Sequence, residues 1–163
     1  MGASGWHYFA PYQPDIKAAL YQLQDEVSTK GEYLKPALFY SALMHQVGEQ
    51  LEPNVVKEVN TAIEDFKNRP EPQTIEELIE MNAEMGTHSI IDMHEIGEEP
   101  GFGVVAPMPE DMLTTIFGTH RPNHSQIESK IDELFMKIRA CYYVLVYQDD
   151  GPDEFFFIGF SGD

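Results

Sequence analysis

A chain of 163 residues, 42% apolar, 12% aromatic and 23% charged, has the composition of one globular domain. It is long enough to bury a core without disulfides or structural metal and too apolar for intrinsic disorder. Its 28 acidic against 10 basic residues give a formal charge of −18, which argues against nucleic acid or an anionic membrane as a direct ligand, since lysine and arginine bind both.

The aromatic opening Trp6–Tyr12 reads as a first strand, stopped by Pro11 and Pro14. Ile16, Leu20, Leu23 and Val27 then recur at helical spacing, with Asp15 at the start and Gly31 where a left-handed cap belongs. Leu38–Gln50 is expected to be helical. Pro53 opens a further helix whose stripe is Val56, Val59, Ile63 and Phe66, and the proline-rich segment 69–73 is a possible internal linker. Thr74 and Glu77 have the spacing of a capping box before a short helix that Gly86 would end.

Thr87–Glu95 alternates as a strand would, with Ile91 and Met93 on one face and His88, Ile90, Asp92 and His94 on the other. Gly97–Gly103 is a turn-rich loop. Pro109 starts a helix that Gly118 ends, and Ser125 with Glu128 predicts a second capping box before one continuous helix carrying Ile127, Ile131, Leu134 and Ile138. Tyr142–Tyr147 and Phe155–Phe160, joined by an acidic turn, form a hairpin apolar on both faces, and the short polar end Phe160-Ser161-Gly162-Asp163 should fray. The fold expected is α+β in a single domain, 1–163: a mixed or antiparallel sheet of four to five strands with a central C-terminal hairpin and helices packed on it.

No run approaches the ~18 apolar residues of a membrane span, and Met1–Trp6 holds no basic-then-apolar leader. The single cysteine, Cys141, allows no internal disulfide, so a cytoplasmic, reducing compartment is expected and Cys141 reads as an inert buried thiol. Residues 71–120 carry eleven acids and no lysine or arginine. Glu76, Glu77, Glu80, Glu84, Glu95, Glu98 and Glu99 are therefore candidate contacts for a basic protein partner, because a surface of one sign steers the opposite sign and repels its own.

The alternative chemistry is at His88, Asp92 and His94. On one strand face a carboxylate beside imidazoles could orient a general base or hold a metal, with His120 and His124 completing the site. Pro122 between those two histidines, and the lack of any metalloenzyme spacing, argue against a structural metal. No cofactor is expected: Gly101-Phe102-Gly103 is too short for a phosphate cradle, and Ser89 and Ser161 lack a nucleophile-elbow context.

The segments Trp6-His7-Tyr8-Phe9, Gly86–Asp92, Phe117–Pro122 and Asp153–Asp163 resemble a set of small bacterial proteins with no assigned function. The resemblance implies a bacterial, cytoplasmic origin and carries over no activity, cofactor or site residue. The function expected is that of a non-enzymatic cytosolic interaction protein, inhibitor-like or immunity-like, with an acidic surface at 71–120. The alternative is a small metal-binding protein or hydrolase-type enzyme centred on His88, Asp92 and His94.

Overall fold

A strand apolar at every position needs cover on both faces, and the computed structural model, which describes residues 4–161, supplies it. Expectations for Met1–Ala3 and for Gly162–Asp163 lie outside the described residues. The elements run β1 (Ser4–Pro11), α1 (Ile16–Lys30), α2 (Pro36–Val47), α3 (Pro53–Asn68), α4 (Ile75–Met81), a 3-10 turn (Ile90–Asp92), β2 (Glu95–Ile96), β3 (Val104–Pro107), α5 (Glu110–Phe117), α6 (His124–Glu128), α7 (Ile131–Lys137), β4 (Cys141–Gln148) and β5 (Gly151–Ser161). The strands form one mixed sheet in the order β1-β5-β4-β3-β2. The β4–β5 hairpin is central, as expected: β1 flanks β5 antiparallel, with Tyr8 opposite Phe157, and β3 flanks β4 in parallel, with Val105 opposite Cys141.

Side chains alternate across a strand, so the run Phe155–Ile158 divides its payload. Phe155 and Phe157 pack with Trp6, Val105 and Cys141 against Leu20, Leu23 and Val27 of α1, Leu78 of α4 and Ile90 and Ile91 of the 3-10 turn. Phe156 and Ile158 pack with Val144 and Val146 against Leu113 and Ile116 of α5, Ile127 of α6 and Leu134 of α7. Helix α1 ends as its sequence signals: Asp15 accepts the Lys17 and Ala18 amides, and Gly31 donates back to Val27 and Ser28 carbonyls. Glycine at position 159 is dictated by close approach, because a Cβ there would lie 2.5 Å from Cys141 Sγ and 2.8 Å from the Trp6 ring.

Four local expectations are corrected. Thr87–Glu95 is not a strand: Ser89 caps a 3-10 turn by accepting the Ile91 amide, and only Glu95–Ile96 is extended. Ile90 and Ile91, adjacent in sequence, are both buried, which period-two alternation on a half-covered strand cannot achieve. The stripe 127–138 is broken between α6 and α7, and its capping box is Asn123 with Gln126, each side chain accepting the other's backbone N–H. Helix α4 stops at Met81, with Asn82 as its cap, rather than running to Gly86. Ser161 is not frayed. It ends β5, buried, accepting the Trp6 indole N–H at 3.0 Å and donating to the Ser89 carbonyl at 3.2 Å.

No helix of the described residues is long and apolar enough to cross a membrane.

Candidate functional site

The 3-10 turn is held at one end of the sheet by buried polar groups. Gln24 of α1, itself buried, donates to the Ile90 carbonyl at 3.0 Å and to that of Met93 at 2.6 Å. Thr87 and Ser89 share a hydroxyl hydrogen bond of 2.8 Å, and the Thr87 amide donates to Asp92 Oδ1 at 2.7 Å. A turn tied at this many points presents Asp92 and His94 in fixed places.

Both residues border a cleft of about 550 Å³, within the range of ligand sites. Asn82, which caps α4, and Glu84 and Met85 in the turn after it line the cleft. Asp92, Met93 and His94 of the turn and Pro100–Gly103 of the loop, Phe102 included, add to the lining. Arg139, Cys141 and Phe160 close the sheet end. The loop is folded back on the turn: His94 and Glu95 amides donate to the Gly103 carbonyl at 2.7 and 3.2 Å, and the Val104 amide donates to Gly101 at 3.2 Å. Gly103 has φ +68°, and the His94 ring lies so close over it that a Cβ would come within 2.5 Å. Only glycine accommodates both demands.

Two acceptors on residues that line the cleft have no hydrogen-bond partner among the described residues, Asn82 Oδ1 and Asp92 Oδ2, and both atoms are themselves shielded from solvent. Asn82 is 2% exposed, and its amide nitrogen is spent on the Leu78 carbonyl at 2.9 Å. A buried acceptor left unmatched costs about 1–3 kcal/mol, so each is a local cost in the packing around the turn. The Asp92 carboxylate is also felt by its neighbours. Burial pushes the Cys141 thiol up, and Asp92 adds to this. Burial likewise raises the Tyr8 hydroxyl, with Glu32 and Asp92 contributing. A thiol so placed is a poor nucleophile.

Of the alternative triad, the structure brings Asp92 and His94 to one cleft and leaves His88 outside it. His88 takes φ +53° and its Nδ1 meets Ser4 Oγ at 2.7 Å. His120 lies beside Thr114 at 3.2 Å, and His124 pairs with Glu154 at 2.6 Å while stacking on Phe9; neither borders the cleft. Among the described residues no three histidine, cysteine or carboxylate side chains are grouped to hold a metal ion. All seven candidate glutamates are exposed. Glu77 is partly occupied, accepting the Gln73 amide at 2.7 Å, and Glu84 reaches the cleft itself.

The sequence reading missed Asn82 and Phe102. Nothing about an asparagine after a short helix distinguishes a cap from a buried acceptor. A bulky ring between two glycines in a loop is a signal, and Phe102 proves to be 99% exposed. No protein-family model, curated protein or solved structure matches this chain.

Proposed function

We propose that the protein is a non-enzymatic binding protein whose acidic face, formed by residues 71–120, docks a basic protein partner in the manner of an inhibitor or immunity protein. The observation that carries this reading is that all seven candidate glutamates are exposed, with Glu84 lining the cleft. Glu98 and Glu99 lead into the loop that carries the exposed Phe102, which also lines the cleft. An exposed aromatic ring near acidic side chains suits an interface anchor, and the segment between Arg69 and Arg121 holds no lysine or arginine. The single buried Cys141 fits a reducing, cytoplasmic setting.

The test is a charge reversal, Glu76→Lys, Glu80→Lys, Glu98→Lys and Glu99→Lys together, measured against a partner captured from cell extract and then purified. The reading requires a basic partner whose affinity falls steeply with added salt and is lost in the reversed protein. A partner bound equally by both proteins, or with equal affinity at low and high salt, overturns it.

A further inference from the structure

We propose that the open edge of β1 pairs with the β1 edge of a second copy of this chain, antiparallel about a two-fold axis at His7, so that two sheets become one continuous sheet in a homodimer. The proposal is independent of the acidic-face reading, since β1 lies outside residues 71–120.

The direction of the backbone groups comes first. β1 is the outer strand of the sheet, and its register with β5 runs unbroken from Ser4 opposite Ser161 to Pro11 opposite Glu154. Continuing that register sets Tyr12 opposite Asp153, and the Tyr12 amide donates to the Asp153 carbonyl at 2.9 Å. Bonded and non-bonded pairs alternate along an antiparallel ladder, so the even-numbered residues of β1 bond to β5. Gly5, His7 and Phe9 therefore turn their N–H and C=O groups away from the sheet. The same parity holds on the far side of β5. The Tyr143 carbonyl accepts the Met108 amide, which leaves Tyr142 and Val144 to bond with Ile158 and Phe156, the β5 residues that β1 does not use. Gly5 and His7 are exposed, and the three outward amides have no further backbone partner among the described residues. Phe135 lies where a Cβ on Gly5 would point, and His124 stacks on the Phe9 ring. Both cover a face of the strand and leave its edge open.

Three properties select a second copy as the occupant. Edge strands are kept single by charged side chains, bulges or prolines, and β1 has none of these before Pro11 at its end. Residues 1–14 hold no Asp, Glu, Lys or Arg, the longest such stretch in a chain of net charge −18, so this strand adds nothing to the repulsion between copies. The edge is also self-complementary. With His7 opposite its own counterpart, Gly5 falls opposite Phe9 in both directions, and every outward N–H and C=O of the three residues is paired. Phe9 then stands across from the position that lacks a side chain. Such a pairing closes on itself and consumes the edge in both copies, while the sheet's other edge, β2, is only two residues long.

The test is sedimentation equilibrium of the full-length protein combined with amide hydrogen exchange. The expected mass at about 100 µM is twice the 18.6 kDa of one chain, falling to a single chain on dilution. The amides of Gly5, His7 and Phe9 should be protected in the dimer and exchange fast in the diluted protein. Added salt should tighten the dimer, because it screens the repulsion between two copies of charge −18; a basic partner on the acidic face would respond in the opposite sense. His7→Pro removes the central outward amide and leaves the ladder to β5 intact, and should weaken the dimer about tenfold or more. His7→Ala keeps that amide and should dimerise much as the wild type does. If His7→Pro fails to fold, His7→Lys, which sets two ammonium groups against each other at the axis, should give a folded monomer, with fluorescence of the buried Trp6 reporting the fold. A single-chain mass at about 100 µM, edge amides that exchange equally fast in dimer and monomer, or a dimer loosened by salt would overturn the proposal. So would a dimer that His7→Pro and His7→Lys leave intact, or one that His7→Ala weakens as much as His7→Pro.

Discussion

The molecule contains two hairpins rich in apolar residues, β4–β5 and α2–α3, and they have opposite fates. In β5 the run Phe155–Ile158 is buried entirely, because period-two alternation sends successive rings to two different helical layers. Helix α2, Pro-Ala-Leu-Phe-Tyr-Ser-Ala-Leu-Met-His-Gln-Val, is also rich in apolar residues, yet only Pro36 is buried and Leu38 is 67% exposed. Its cover comes chiefly from α3, through contacts such as the stacking of Tyr40 on Phe66 at 6.0 Å. Apolar content therefore does not decide burial here. What decides it is how many layers an element can reach, and α2–α3 reaches essentially one.

The sharpest test of this contrast is truncation in each hairpin. Phe157→Ala should cost about 3–5 kcal/mol in urea unfolding, the usual range for a fully buried ring, whereas Leu38→Ala should stay within about 0.5 kcal/mol. A loss above about 1.5 kcal/mol at Leu38 would show that α2 is covered in solution and erase the difference. Gly159→Ala belongs between the two, at about 1–3 kcal/mol, since the added methyl must displace Cys141 Sγ or the Trp6 ring.

The same contrast predicts two unfolding signals. Trp6, the single tryptophan, is buried in the sheet, so its fluorescence reports β1–β5, while far-ultraviolet circular dichroism weighs all helices. An element with few buried contacts opens at lower free energy than the core. Ellipticity should begin to fall at a lower urea concentration than Trp6 fluorescence, and amides of α2 and α3 should exchange faster than those of β4 and β5. Coincident curves and uniform exchange would mean that α2–α3 unfolds only with the sheet.

How much of this was legible in the sequence follows from which signals are local. β4, β5 and α1 were readable because their information lies within one element: unbroken apolar runs, a stripe at 3.6 spacing, Asp15 and Gly31 at the ends. β3 was missed. Val104-Val105-Ala106-Pro107 is four residues long and becomes a strand by pairing with β4, a partner far along the chain. Thr87–Glu95 carried an alternation that suits a strand, but its backbone amides are satisfied by Asp92, Ser89 and Gly103, which no periodicity reveals. The acidic character of residues 71–120 was legible as charge. The buried Asn82 and the exposed Phe102 were not, because their burial and exposure are set only when α4 and the loop take their places in the fold.

Chemical reactivity offers a smaller readout of the buried region. Burial, reinforced by Asp92, raises the Cys141 thiol, so at pH 8 it should remain protonated and react slowly with a disulfide reagent, with full labelling only in denaturant. Labelling that runs ahead of loss of Trp6 fluorescence would show that the sheet end opens locally.

The smallest expected effect is electrostatic and concerns α7, a helix tied to the well-covered side of the molecule through buried Leu134. Glu133 accepts from Lys130 and from Lys137, each at 2.6 Å, and these two lysines hold its carboxyl down at about 2, against an ordinary value near 4.5. A group whose folded value lies below its unfolded one stabilises the fold when ionised, so the contribution is complete above about pH 4.5 and is lost as pH falls toward about 2. Lys130 and Lys137 are 42% exposed, so solvent and salt screen the pair and the gain is small. Glu133→Gln should lower the melting temperature slightly at pH 6 in low salt, with the difference from wild type shrinking both at pH 2.5 and in concentrated salt. A difference that persists unchanged at pH 2.5 would show that Glu133 acts through packing on α7 rather than through its charge, and α7 would then owe its place to the same layer contacts that α2 lacks.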